Sequence, residues 1–133
     1  MSSPQRLQHQ RRLTLGVQVH CAAQHIDHLL APVAQQLRAG GSRLFFYSRR
    51  DDDHRENTME IDFLITRGYD DAAGRMRVSP IEVKSSKRYG FSSLDKFKTK
   101  FQTRVGMRYI LHPKPLRVDG DLVRLPLYMA WCL

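Results

Sequence analysis

The chain has 133 residues, 41% of them hydrophobic, and a formal net charge of +9, which suits one domain with a hydrophobic core. It has no run of about 20 apolar residues that could span a membrane, and its polar first twelve residues lack the apolar core of a secretory signal. Cys21 and Cys132 lie near opposite ends of the chain. One disulfide between them is conceivable, but such sparse cysteines are more typical of reduced thiols, so we expect a cytoplasmic protein.

The positive charge is concentrated in the last third of the chain. Between Lys84 and Arg117 there are ten Lys and Arg residues and one acid, Asp95, a local net charge of +9. Nine of the thirteen acids lie earlier, between Asp51 and Glu82. A basic block of this kind is typical of proteins that bind a polyanion such as nucleic acid, although a solvated surface would have the same composition.

The predicted elements begin with a helix. Residues 1–14 are predicted to be disordered or outside the domain, which we place at 15–133. A helix is expected from about Leu15 to Arg38, kinked or divided at Pro32 and stopped by two glycines. The β-prone run Arg43–Tyr47 is predicted as the first strand.

The next two predicted strands carry charged residues within apolar runs, Glu60–Ile65 and Pro80–Lys84, with a hairpin loop over 67–77 between them. Strand alternation predicts that Ile61, Phe63 and Ile65 share one face. If Thr66 faces Val78 across the hairpin, Asp62 lies opposite Glu82, and Lys84 projects from the same face as Glu82. Two opposed carboxylates repel unless they share a proton or a cation, so a divalent metal is one way to compensate them.

A helix and further strands follow. Ser92 and Ser93 are predicted N-caps of a helix, whose apolar stripe comprises Leu94, Phe97, Phe101 and Val105. Its basic stripe comprises Lys96, Lys100 and Arg104. A strand is expected over Arg108–Leu111, a turn near Gly120, a last strand over Leu122–Leu125 and a short helix from Pro126 to the end. The order of helix, three strands, helix and strand predicts an α/β fold in which a three-strand meander forms part of a mixed sheet.

The pattern of Asp62 followed by Glu82-Val83-Lys84 resembles the PD-(D/E)xK, or restriction-endonuclease-like, nuclease superfamily. The surrounding residues, Glu60–Phe63, Pro80–Ser85, Ser93–Phe97 and Leu125–Met129, are similar to an uncharacterised domain that follows an AAA+ ATPase module in prokaryotic proteins. This resemblance covers about Leu30 to Leu133. No Gly-x-x-x-x-Gly-Lys-Ser/Thr loop for ATP is found here, and Leu30 stands where the family often has a glutamate in its first helix.

The resemblance implies a Mg²⁺- or Mn²⁺-dependent DNA or RNA nuclease domain. Asp62 and Glu82 would bind the metal, the Val83 carbonyl could join them, and Lys84 would assist the attacking water. The phosphate contacts would come from Lys87, Arg88, Lys96, Lys100 and Arg104. Three alternatives stay open: a nuclease-fold module that binds nucleic acid without cutting it, a domain that docks an AAA+ ATPase partner, and a metal-free ion-pair cluster of the three charged residues. No membrane partner is expected, and the sequence does not indicate an oligomeric state.

Overall fold

The computed structural model of the protein describes residues 28–70 and 75–133. The predicted disordered segment 1–14 and the first half of the predicted first helix lie outside this part of the chain. Within it, the helices are α1 (Leu30–Ala39) and α2 (Ser92–Phe101). The strands are β1 (Phe45–Arg49), β2 (Met59–Asp70), β3 (Arg75–Val83), β4 (Arg108–His112), β5 (Arg117–Asp119) and β6 (Leu122–Pro126). Short 3₁₀ turns occupy Arg55–Asn57, Gln102–Arg104 and Leu127–Cys132.

The strands form one six-stranded mixed sheet in the order β1-β2-β3-β4-β6-β5. β1, β2 and β3 pair antiparallel in chain order, β4 lies parallel to β3 and to β6, and β5 closes the edge antiparallel to β6. The connection between the parallel strands β3 and β4 contains α2, as parallel pairing requires a crossover. The predicted mixed α/β architecture is confirmed at this level.

Each face of the sheet buries its own hydrophobic cluster. On the face covered by α1, which we call the α1 face, the buried residues include Val33, Leu37, Phe63, Ile65, Ile81 and Leu111. On the opposite face, the α2 face, they include Tyr47, Ile61, Leu64, Leu94, Phe97 and Ile110. The strict alternation of Ile110 and Leu111 between the two clusters follows from the period of two along a strand.

A β-bulge in β2 interrupts this alternation beside the charged residues. Phe45 pairs with Leu64 but Tyr47 pairs with Ile61, so three steps along β2 match two along β1. The prediction that Ile61 shares a face with Phe63 and Ile65 is therefore wrong, since Ile61 packs on the α2 face and the other two on the α1 face. A bulge reverses the side-chain direction that simple alternation would give.

Several predicted boundaries differ from the observed ones. β2 extends to Asp70 and β3 begins at Arg75, so most of the predicted 67–77 loop belongs to the strands. Phe91 occupies the N-cap position of α2 without a side-chain cap, so the predicted Ser caps are wrong. Pro32 does not kink α1 but lies in its first turn, where its missing N–H removes no helical hydrogen bond. No helix in the described part of the chain is long and apolar enough to cross a membrane.

Candidate functional site

The bulge brings Asp62 beside the end of β3. Thr66 pairs with Val78 and Phe63 with Ile81, the register assumed from the sequence, and Asp62 and Glu82 are the next residues beyond this last pair. The backbone N–H of Val83 donates a 2.7 Å hydrogen bond to Asp62 Oδ2. This N–H lies beyond the last regular β2–β3 pair, so the carboxylate satisfies a backbone donor that the ladder does not. The carboxylate of Asp62 is thereby held against the first two residues of the Glu-x-Lys motif.

Glu82 is a buried carboxylate. Its side chain is 3% exposed, and its backbone pairs with that of Ile110, whose side chain belongs to the α2-face cluster. Burial raises the pKa of Glu82 above its ordinary value although Lys84 acts to lower it, and the negative charges of Asp62 and Asp95 raise it further. A nearby cation favours the ionised form of such a buried carboxylate.

Lys84 supplies part of that compensation. Its Nζ lies 2.8 Å from Glu82 Oε2, and 28% of its side chain is exposed. The contact is close but poorly directed, so Oε2 is buried without a well-aligned hydrogen-bond donor. A better-directed ligand, either a donor or a metal ion, would complete the hydrogen-bonding capacity of this oxygen.

No residue of α1 supplies an acid in place of the glutamate that the family often has in its first helix. Leu30 packs against the cluster on the α1 face, on the side of the sheet opposite to the Glu82 side chain. Among residues 28–70 and 75–133 no group of three or more His, Cys, Asp or Glu side chains is arranged to hold a metal. Asp62 and Glu82 are nevertheless hard oxygen ligands of the kind Mg²⁺ accepts in pairs while it retains several waters. Asp62 and Glu82 thus offer two of the oxygen ligands that such an ion accepts.

A third carboxylate near Glu82 is already engaged. Asp95, in the first turn of α2, bonds to the guanidinium of Arg108, which also contacts Asp121 through Nε at 2.9 Å and through Nη2 at 3.1 Å. Arg108 is 7% exposed. Its burial acts to lower its pKa, but the hydrogen bonds that it donates to the two aspartates outweigh this and raise it. Asp95 thus anchors α2 to the start of β4 rather than joining the metal ligands.

The sequence did not indicate that Tyr89, which is partly buried, pairs with the buried His112. Tyr89 Oη lies 2.6 Å from His112 Nδ1, and His112 Nε2 lies 3.2 Å from the carbonyl of Pro115. Because a carbonyl only accepts, Nε2 carries the proton and Tyr89 donates to Nδ1. Burial lowers the pKa of His112, Lys114 and Arg124 lower it further, and the Pro115 carbonyl opposes them. The pair ties the loop after β3 to the end of β4, a contact between residues 23 apart that no local pattern signals.

The predicted phosphate-binding cations fall into two groups. Lys87 and Arg88 are exposed in the loop between β3 and α2. Lys96 and Lys100 lie on α2 and contact neutral oxygens, Thr58 O and Tyr47 Oη, each at 3.3 Å. Arg104 is exposed in the 3₁₀ turn after α2, apart from the helix on which it was predicted.

Other members of the basic block are neutralised within the fold. Lys98 Nζ lies 2.9 Å from Asp121, and Arg117 Nε lies 3.1 Å from Asp119. Arg108 is held by two aspartates, and Lys84 pairs with Glu82. The local +9 inferred from the sequence therefore overstates the charge available to a polyanion.

Comparisons with curated proteins and with solved structures found no significant match. A family model described as "Domain of unknown function (DUF4143)" matches residues 31–128, and this domain is commonly found next to AAA ATPase modules. The matched segment includes β2, β3 and α2 with all the candidate site residues described above. Since the match covers most of the chain, the protein belongs to the DUF4143 family.

Proposed function

We propose that this domain is a divalent-metal-dependent phosphodiesterase that acts on DNA or RNA, built on a restriction-endonuclease-like sheet. The observation that supports it best is the β2 bulge, which sets the Asp62 carboxylate against Val83 N–H, beside the buried Glu82. Bulges of this kind are common next to active sites, where they redirect a side chain. A purely structural strand has no need to bring two carboxylates together.

The residues have distinct roles in this proposal. Asp62 and Glu82 would hold Mg²⁺ or Mn²⁺, with the Val83 carbonyl as a further oxygen ligand. The bound ion supplies Lewis-acid stabilisation of the phosphate and a water of lowered pKa. Glu82 and Asp62 lose their mutual repulsion when they share the ion. The Lys84 ammonium, no longer needed at Oε2, would orient the water or offset the developing charge on the phosphate.

A specific observation favours the alternative of a module that binds nucleic acid without cutting it. Lys84 already neutralises Glu82 at 2.8 Å, and Leu30 leaves no acid on α1 to complete a larger ligand set. Both features suit a site that has kept its fold and lost its metal. Docking to an AAA+ ATPase is a third role, supported by the usual neighbour of the family.

Metal binding and cleavage can be tested separately. We expect Mn²⁺ to raise the melting temperature of the wild type, and Asp62→Asn or Glu82→Gln to abolish the shift. Glu60→Gln is the matched control, because Glu60 is an exposed acid of the same strand on the face opposite to the buried Met59 and Ile61. Cleavage of labelled single- and double-stranded DNA and RNA should then require the metal, Asp62 and Glu82. If Mn²⁺ does not shift the melting temperature of the wild type, the metal site is wrong.

A further inference from the structure

A second positively charged feature lies along α2, away from the Lys87-Arg88 loop. An open groove of about 380 Å³ separates α2 from the end of β1 and the turn that leads into β2. Its cations are Arg49, Lys96 and Lys100, its acids are Glu56 and Asp95, and Met59 contributes to its apolar part. We call it the α2 groove.

The charges in the α2 groove do not cancel. Within the described part of the chain, Lys96 contacts the carbonyl oxygen of Thr58, Lys100 contacts the hydroxyl of Tyr47 and the ring of Phe101, and Arg49 forms no ion pair. Asp95 is held by Arg108, and Glu56 lies 3.3 Å from His54 Nδ1. The cations are therefore available to an anionic ligand, while the guanidinium of Arg108 weakens the repulsion between Asp95 and that ligand.

Arg49 does have a carboxylate in its vicinity. The pKa of Asp51 is lowered chiefly by a hydrogen bond from the His54 backbone, with a smaller contribution from the charge of Arg49. The oxygens of Asp51 are taken up by the N–H of His54 at 2.9 Å and the amide of Asn57 at 3.3 Å. Asp51 thus shapes the turn beside the groove without forming an ion pair with Arg49.

The α2 groove lies at the same end of strands β2 and β3 as the carboxylate site. β2 and β3 are antiparallel, so the start of β2 lies next to the end of β3, where Glu82 and Lys84 are found. Lys96 contacts the residue immediately before β2. Asp95 borders the groove and also acts electrostatically on Glu82. A chain of phosphates that entered the groove would continue toward Glu82.

We propose that the α2 groove binds the backbone of a single-stranded nucleic acid, to one side of the phosphate held at Asp62 and Glu82. The size of the groove is near the lower end of the range for ligand pockets, about 300–1,000 Å³, which suits one or two nucleotide units rather than the face of a duplex. Lysines separated by one helical turn act as point charges for successive phosphates. The inference rests on the proposed function only in taking the bound strand to be the substrate.

The helix provides its own matched control. Lys98 lies between Lys96 and Lys100 in sequence but is paired with Asp121 at 2.9 Å. Binding of a fluorescently labelled single-stranded oligonucleotide should be measured by anisotropy in EDTA over a range of salt concentrations. The proteins compared are the wild type, the double variant Lys96→Gln/Lys100→Gln, and Lys98→Gln.

We expect the double variant to bind about tenfold more weakly and to lose about 1.4 from the slope of log K against log salt, since each single-strand phosphate contact contributes about 0.7. Lys98→Gln should bind within about twofold of the wild type. The proposal is overturned if the double variant binds as the wild type does, or if Lys98→Gln loses as much as the double variant. Equal melting temperatures would show that the substitutions leave the fold intact.

Two further ligands test the identity of the occupant. A duplex of the same sequence should depend less on Lys96 and Lys100, and equal dependence would overturn the assignment to a single strand. Inorganic phosphate should displace the strand only at a large excess; displacement at equal concentration would show a simple anion site and overturn the proposal.

None of these measurements requires cleavage. A strand that binds as expected to a protein that does not cut would leave this inference standing and the phosphodiesterase proposal contradicted.

Discussion

Asp62 has two separable roles at the residue scale, as a charge and as a hydrogen-bond acceptor. Its Oδ2 accepts from Val83 N–H, which an asparagine Oδ1 can also do but an alanine cannot. Asp62→Ala should therefore lower the free energy of unfolding by about 1–3 kcal/mol because it leaves a backbone donor unsatisfied. Asp62→Asn should stay within about 0.5 kcal/mol of the wild type while losing the Mn²⁺ response.

Urea denaturation of the three proteins without metal checks this separation. Glu60→Gln, on the opposite face of the same strand, should be neutral. If Asp62→Asn and Asp62→Ala lower the free energy of unfolding equally, the charge and not the hydrogen bond stabilises this end of β3.

Glu82 should make the stability of the metal-free protein depend on pH. Burial raises its pKa in the folded state, so the folded protein binds more protons than the unfolded chain in the window above about 4.5, and the unfolding free energy falls as pH rises through that window. Glu82→Gln removes the effect. The variant should therefore melt at a higher temperature than the wild type at pH 7.

The pH profile distinguishes this from a general stabilisation. At pH 4 the protonated glutamic acid resembles glutamine, and the two melting curves should nearly coincide. A constant difference from pH 4 to 7 would contradict a titrating Glu82. Addition of Mn²⁺ at pH 7 should close the gap by stabilising only the wild type.

At the scale of elements, Arg108 holds α2 on the sheet. Its guanidinium joins Asp95 of α2 to Asp121 before β6, so Arg108→Met leaves two carboxylates without their shared cation. Loss of one partner from a buried pair costs about 3–5 kcal/mol; since the side chain of Asp95 is 55% exposed, we expect about 2–3 kcal/mol here. Arg117→Met is the control, because the Arg117 side chain is 72% exposed and its surface pair should contribute at most about 1 kcal/mol.

The loss of stability in Arg108→Met should depend on pH. Burial acts to raise the pKa of Asp121, but hydrogen bonds from Arg108 and Lys98 outweigh it and lower the pKa overall. The stabilisation is therefore present above the unfolded value near 4 and lost as pH falls through the folded pKa. The gap in melting temperature between wild type and Arg108→Met should shrink below pH 4, and a gap that widened there would contradict the assignment.

The loop after β3 should weaken when His112 is protonated. Because its folded-state pKa is lowered, the unfolded chain binds more protons below about pH 6.5, and stability is lost as pH falls from there through the folded value. His112→Gln should lack this loss, and Tyr89→Phe should cost about 1 kcal/mol at pH 7 by removing one hydrogen bond. The titration of the His112 imidazole by NMR measures the pKa directly; a midpoint above 6.5 would refute the prediction.

Most elements follow from local patterns, and the exceptions have non-local causes. The alternation over 80–83 and the apolar spacing of Leu94 and Phe97 suffice to predict β3 and α2. The bulge at Asp62 depends on how β2 fits β1, which no window of β2 alone specifies. The burial of Arg108 and His112 likewise requires partners distant in sequence. The sequence alone therefore overstates how many cations of the basic block can bind an anion.

At the scale of the whole molecule, the cations of the folded protein form two groups: those that pair with acids inside the fold and those that do not. The pairs that join elements, such as Arg108 with its aspartates and Lys98 with Asp121, consume positive charge inside the fold. Among the cations left over, Lys87-Arg88 in the loop and Lys96 and Lys100 on α2 both follow Glu82 in the sequence, and Asp95, next to Lys96, acts electrostatically on Glu82. An anionic strand bound to these cations would be repelled by the carboxylates unless a metal intervenes.

This arrangement predicts coupling between metal and nucleic acid. Without metal, Asp62 and Glu82 oppose a phosphate, so Ca²⁺ at constant ionic strength should tighten oligonucleotide binding by about 5–10-fold, within the usual range of coupling free energies, about 1–3 kcal/mol. By reciprocity, the oligonucleotide should tighten Ca²⁺ binding by the same factor.

Asp62→Asn should lose the coupling while binding the strand without metal at least as well as the wild type, because it removes a repulsive charge. Lys96→Gln/Lys100→Gln should bind more weakly yet keep the coupling, since its carboxylates are intact. Anisotropy titrations of the three proteins with and without Ca²⁺ give the six strand affinities that these comparisons need, and a metal effect that survives in Asp62→Asn would place the ion elsewhere.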